Sequence, residues 1–71
     1  MSNKAIIERI TRATSEIEVA EKDLRRVMSE LEVIPRAEKT VSETVQKAFE
    51  ELHAARARLV ELHSKLTKDE D

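Results

Sequence analysis

The stretch Val33-Ile34-Pro35-Arg36 lies at the middle of the 71-residue chain and contains its only proline. Proline has no backbone N–H and its ring clashes with the preceding helical turn, which costs about 3 kcal/mol inside a helix. It also disfavours the helical conformation at the residue before it, Ile34. Because both halves of the chain have helical patterns and lack glycine, the stretch predicts a turn between two long helices.

The segment before the proline predicts one helix over about residues 3–33. Apolar residues recur there at alternating steps of four and three, which is the heptad pattern of packed helices. On the outer surface, Glu21 and Arg25 have the spacing of an ion pair within one helix. With heptad positions lettered a to g, the a positions are Ile10, Ile17, Leu24 and Leu31, and the d positions are Ile6, Ala13, Ala20, Val27 and Ile34.

The segment after the proline continues the same heptad and predicts a second helix that ends near residue 67. This helix can begin at Arg36, directly after the proline, or at Thr40, where Thr40-Val41-Ser42-Glu43 is a capping box. We therefore expect a turn over about residues 34–39 and a frayed acidic tail over 68–71. The a positions are Val45, Leu52, Leu59 and Leu66, and the d positions are Val41, Ala48, Ala55 and Leu62.

Side-chain volumes favour an antiparallel hairpin. Folding the chain about residue 36 places Ala20 opposite Leu52 and Leu24 opposite Ala48, so small residues meet large ones without voids. Two straight chains running antiparallel about the same position would form the same pairs, but the proline and the short polar connection favour the hairpin. The predicted fold class is all-α, an antiparallel two-helix hairpin forming a single domain over residues 1–71.

Chain length and composition predict that this hairpin oligomerises. A chain this short builds a core worth only a few kcal/mol, and it has no cysteine with which to add disulfides. Apolar residues also lie outside the a and d rows: Ile7, Met28 and Phe49 at e, and Val60 at b. The e positions of both helices share one edge. We expect this edge to meet a second hairpin in a homodimeric four-helix bundle, or else another protein.

The sequence contains no catalytic, metal or cofactor motif that stands out from a charged helical surface. Glu50 and His53 have the Glu-x-x-His spacing of carboxylate di-metal bundles, but they occupy the outward f and b positions and the chain holds only one such motif. His53 and His63 lie about 80° apart around the helix, so they do not share a metal-binding face. We therefore expect a chain that is not an enzyme and that needs no metal or cofactor.

The expected function is protein–protein interaction by a small regulator or adaptor that acts through its helical faces. The basic clusters Arg25-Arg26 and Arg56-Ala57-Arg58 support an alternative, contact with nucleic acid. The predicted architecture resembles that of the Rop-like RNA-binding hairpins, although no residue motif is shared. A net charge of -2 and a single aromatic residue, Phe49, argue against that alternative. No apolar run has signal-peptide or membrane-span length, which favours a cytoplasmic protein.

Overall fold

The computed structural model describes residues 3–34 and 39–69 and contains two helices in that part of the chain, α1 over Lys4–Glu32 and α2 over Lys39–Asp69. The predicted pair of long helices is confirmed. The predicted turn falls mostly on residues 35–38, outside the described residues. At its other end α2 continues to Asp69, two residues beyond the predicted end, and Lys68 in the last turn interacts favourably with the helix dipole.

Both ends of α1 follow from local backbone chemistry. Asn3 is the N-cap residue, and its carbonyl accepts a hydrogen bond from the Ile7 N–H at 2.8 Å. At the C-terminus the helix tightens, because the N–H groups of Val33 and Ile34 bond the carbonyls three residues earlier, at 3.3 and 3.2 Å. Such short-range bonds satisfy carbonyls that the end of a helix leaves without partners. The helix thus ends just before the proline, as its position predicts.

The two helices pack side by side and run antiparallel. Glu21 bonds His53, and Arg25 lies over Phe49, so a step forward along α1 matches a step backward along α2. The predicted hairpin is therefore confirmed, with Cα extents of 56 × 14 × 12 Å. The register differs slightly from the prediction, because the predicted pairing places Glu51 opposite Glu21, whereas the observed partner lies two residues later.

The a and e positions form the contact between the helices. Every described residue at these positions is buried or half-buried. Ile10 at an a position is 8% exposed and Glu21 at an e position is 4% exposed, and these two are the buried residues of the described part of the chain. On a helical wheel, e lies about 40° from a on one side and d lies about 60° from a on the other. Each helix is therefore turned toward its e row and away from its d row.

The d positions form an open apolar face, which we call the d face: Ile6, Ala13, Ala20, Val27, Ile34, Val41, Ala48, Ala55 and Leu62. Its four alanines are half-buried, and its larger side chains are exposed. The exposed fraction is 54% for Ile6, 43% for both Val41 and Leu62, and 39% for Val27. The prediction that the d positions close the hairpin together with the a positions thus fails for these larger side chains, whereas the alanines are half-buried.

Three large apolar side chains of the e row favour the rotation. The e row contains Ile7, Met28 and Phe49, whereas four of the d positions are alanines. Turning these three side chains toward the partner helix removes their apolar surface from water, at about 25 cal/mol per Å². The expected open edge is consequently half-buried at its three e positions. Its fourth residue, Val60 at b, is 52% exposed.

Candidate protein interaction surface

Glu21 lies at the centre of the polar side of the hairpin, opposite the d face. Its carboxylate is buried but paired at both oxygens. Nδ1 of His53 lies 2.9 Å from Oε2, and Nε of Arg56 donates to Oε1. An ionised carboxylate can only accept hydrogen bonds, so we assign the proton of this contact to Nδ1 of His53. The cluster links α1 to α2 through one charged side chain.

These two contacts change the acidity of Glu21. The hydrogen bond from His53 is the largest cause and lowers the pKa of the carboxyl group below its ordinary value. Burial acts in the opposite direction, and the hydrogen bond and positive charge of Arg56 lower the pKa further. Both partners favour the ionised form because they bond and attract negative charge. Glu21 is therefore held as a carboxylate in the folded hairpin.

Phe49 lies beside this cluster and covers its apolar side. Its ring stacks on the His53 imidazole, with centroids 6.2 Å apart and an angle of 13° between the planes. The guanidinium carbon of Arg25 lies 5.2 Å from the centre of the Phe49 ring, within the range of a cation–π contact. Arg25 and Glu21 thus both reach toward α2. The predicted pair between Glu21 and Arg25 along α1 is replaced by contacts across the hairpin.

The two residues of the candidate metal pair in α2, Glu50 and His53, bond different partners. His53 bonds Glu21 of the other helix, whereas Oε2 of Glu50 accepts a hydrogen bond from Nε2 of Gln46 at 3.0 Å. Sequence reasoning missed the interhelical role of Glu21 and His53. A signal for it was present: Glu21 is the one acidic residue in the e row of α1, and the e row of α2 contains Arg56.

The structure does not bring the four candidate nucleic-acid arginines into one patch. Arg56 bonds Glu21 and has 29% of its side chain exposed, and Arg25 lies over Phe49. Arg26 and Arg58 are exposed, but they occupy the c position of α1 and the g position of α2. These positions point to different sides of the hairpin. Arg25 and Arg56 line one groove, which two glutamates also line, and Arg26 and Arg58 are not among its lining residues.

The d face has the form of a protein contact surface. Alanines occupy its middle, where they allow a close approach, and larger apolar residues lie toward both ends. Charged residues at g positions border it along each helix. An apolar centre with a polar rim is the usual anatomy of a protein–protein interface. Contiguous exposed apolar surface of this kind marks interaction sites in folded proteins.

The described ranges 3–34 and 39–69 lack the residue cluster of a metal site and the long apolar stretch of a membrane span. In those ranges no three side chains of His, Asp and Glu come together in a way that could hold a metal ion. Neither described helix contains an apolar stretch long enough to cross a bilayer. No protein-family model matches the chain, and neither the curated proteins nor the solved structures contain a match for it.

Proposed function

We propose that this chain is a non-enzymatic protein–protein interaction module, a small regulator or adaptor that works as a homodimeric four-helix bundle. In this bundle the d faces of two hairpins are buried against each other. The outer polar surfaces stay available to a further protein. The observation that carries the proposal is the continuous apolar d face, which leaves Ile6, Val27, Val41 and Leu62 exposed in the single hairpin.

The surface area of the hairpin supports this assembly. Its accessible surface is 5926 Å² for a chain of 8.1 kDa. A compact monomer of that mass exposes about 4,500 Å², so the hairpin exposes roughly 1,400 Å² more than a compact fold would. Each partner of a standard interface buries about 800 Å². The excess is thus sufficient for a stable dimer contact along the length of the hairpin.

The assembly is tested by light scattering coupled to size exclusion, with circular dichroism of the same samples. We expect the wild type to have twice the chain mass and Val27→Glu to shift strongly toward monomer, because the glutamate would be buried in the d-face contact. The matched control is Val19→Glu, since Val19 is 59% exposed at an outward c position of the same helix. A wild-type monomer at high concentration, or equal dissociation of both variants, would contradict the proposal.

The adaptor role is tested with a crosslinking group placed on the polar side of the hairpin. Val60 is exposed there and lies away from the d face. A photo-crosslinking amino acid at Val60 is expected to form adducts in cells with a protein other than this chain. The same group at Leu62 on the d face is expected to form adducts with a second copy. Self-adducts alone at both positions would contradict an adaptor role while leaving the dimer in place.

Nucleic-acid binding has less support in the structure than protein binding. Arg25 and Arg56 are engaged within the hairpin, and the chain has a net charge of -2. Salt-sensitive binding to RNA or DNA that is lost in Arg26→Gln or Arg58→Gln, with the dimer intact, would favour that reading over protein binding.

A further inference from the structure

We infer that the two hairpins of the dimer stack antiparallel, with the open end of one on the turn end of the other, and that charges bordering the d face select this orientation. The open end is where α1 begins and α2 ends, and the turn end is where α1 ends and α2 begins. The inference rests on the proposed dimer. Beyond the dimer itself, the inference specifies which residues of the second copy each helix contacts.

The register of the hairpin determines which border residues lie side by side. Glu21 pairs with His53, and Arg25 pairs with Phe49 four residues further along α1 and four residues earlier along α2. Continuing this register along the helices brings the g positions of α1 and α2 to matching heights. Four such levels border the d face from the open end to the turn end.

The open half of the border is positive. Arg9 and Lys65 share the level nearest the open end, so that level has two positive charges. The next level contains Glu16 and Arg58, whose charges cancel. All four side chains are exposed. Among the described residues, none of the four forms an ion pair within the hairpin.

The turn half of the border is negative. Asp23 and Glu51 share the third level, and Glu30 lies beside Thr44 at the fourth. These side chains are also exposed, and in the described part of the chain none of the three acids has an ion-pair partner. The border of the d face thus changes from positive to negative along the long axis of the hairpin.

Two orientations can bury two d faces by two-fold symmetry. An axis along the hairpin places equal ends together and puts each helix on the other helix of the partner. Equal levels then meet, so that Arg9 faces the partner's Lys65 and Asp23 faces the partner's Glu51. Symmetry repeats both repulsive contacts. This parallel stacking places the positive end on the positive end and the negative level on the negative level.

The second axis runs across the hairpin and stacks each helix on the same helix of the partner, in the opposite direction. Full overlap of the helices places this axis near Ala20 and Ala55. Arg9 then meets the partner's Glu30, and Glu51 meets the partner's Arg58. Each attraction occurs twice. Exposed ion pairs are individually weak. The summed electrostatic energy of these border contacts, however, is attractive in antiparallel stacking and repulsive in parallel stacking.

Neither the other charges nor side-chain volume reverses this preference. The contact between Glu16 and the partner's Asp23 opposes antiparallel stacking, but it is outnumbered by the two attractive types. In parallel stacking Glu16 would face the partner's Arg58, and this attraction is outnumbered by the two repulsive types. Volume does not separate the orientations, because the alanines of the d face meet larger residues or other alanines in both. The choice of orientation is therefore electrostatic.

A charge reversal at Glu51 separates the orientations. In the antiparallel dimer, Glu51→Arg replaces two attractions by repulsions, and we expect the dissociation constant to rise about tenfold at low salt. The difference should shrink in 1 M salt, where charges are screened. Glu61→Arg is the matched control at an outward position. Tighter dimerisation of Glu51→Arg, which the parallel dimer predicts, would overturn the inference.

Disulfide trapping gives an independent readout, since the chain contains no cysteine of its own. Near the cross axis Ala20 meets the partner's Ala20 and Ala55 meets the partner's Ala55. We therefore expect Ala55→Cys alone, and Ala20→Cys alone, to form disulfide-linked dimers with oxidised glutathione. The control Ala54→Cys, on the outer surface, should remain monomeric on a non-reducing gel.

The outcomes separate the orientation from the dimer itself. In a parallel dimer Ala20 meets the partner's Ala55, so neither variant would crosslink alone and only their mixture would. That result would overturn the orientation and leave the dimer standing. Crosslinking in no combination, with a monomeric mass by light scattering, would contradict both the orientation and the proposed dimer.

Discussion

Glu21 of α1 is joined to His53 of α2 by a 2.9 Å contact between Oε2 and Nδ1. This contact connects residues that are 32 positions apart in the chain, and Arg56 completes it from the next turn of α2. A buried charge is tolerated only when its hydrogen-bonding capacity is met by partners. The pairing therefore makes Glu21 dependent on one alignment of the two helices.

Replacing Glu21 by glutamine should destabilise the hairpin. The amide keeps the shape of the side chain, but it removes the negative charge and turns a donor toward His53 or Arg56. We expect a lower midpoint of thermal unfolding than for the wild type, followed by circular dichroism. Glu18→Gln, an exposed change on the same side of α1, should leave the midpoint almost unchanged. Equal midpoints for all three proteins would contradict a stabilising cluster.

The stabilisation by Glu21 should disappear in acid. Its pKa is lowered in the folded chain, mainly by the hydrogen bond from His53. The ionised group therefore contributes stability above the ordinary glutamate pKa, and the contribution is lost as the pH falls through the lowered value. Urea unfolding at a series of pH values should show a constant difference between wild type and Glu21→Gln near neutrality that narrows in acid. If the difference in unfolding free energy between the two proteins widened on acidification, the expected direction of the linkage would be contradicted.

Truncation of Ile10 should weaken the hairpin itself. Ile10 is the one buried apolar residue of the described part of the chain, and Ile10→Ala is expected to lower the free energy of unfolding by about 2–5 kcal/mol, as for other core truncations. Ile6→Ala removes the same atoms from the exposed d face, and its effect should depend on protein concentration because it acts through the dimer. Urea unfolding at two protein concentrations distinguishes them. If both variants lost the same free energy of unfolding at both protein concentrations, the assignment of Ile10 to the hairpin contact and of Ile6 to the dimer contact would be contradicted.

Arg25 and Phe49 should be energetically coupled. The guanidinium of Arg25 lies 5.2 Å from the centre of the ring, and an exposed cation–π contact is worth about 0.5–1 kcal/mol. A double-mutant cycle with Arg25→Gln and Phe49→Leu should recover a coupling of that size, because leucine keeps much of the apolar area and removes the aromatic face. Additive effects of the two changes would show that the contact contributes nothing. Arg26→Gln, one position along the helix, supplies the uncoupled control.

The polarity pattern of the chain predicted the two helices and their hairpin without tertiary information. Pro35 and the alternating four-and-three spacing act through local geometry, since a proline interrupts a helix wherever it lies and a heptad places its apolar residues on one side. The same pattern also showed that the apolar side is wider than the a and d rows. It contains a, d and e positions, which is more than one partner helix can cover.

Which rows of that wide apolar side meet inside the hairpin was decided only by tertiary structure. The sequence rules favoured a and d, whereas the structure pairs a and e and leaves the d face open. The reason is that burial depends on both helices together. Phe49 and Met28 are larger than the alanines of the d row, and the buried carboxylate of Glu21 is bonded by His53 and Arg56 of α2. A helical pattern read along one chain contains the period of its apolar residues but not the partners that satisfy a buried charge.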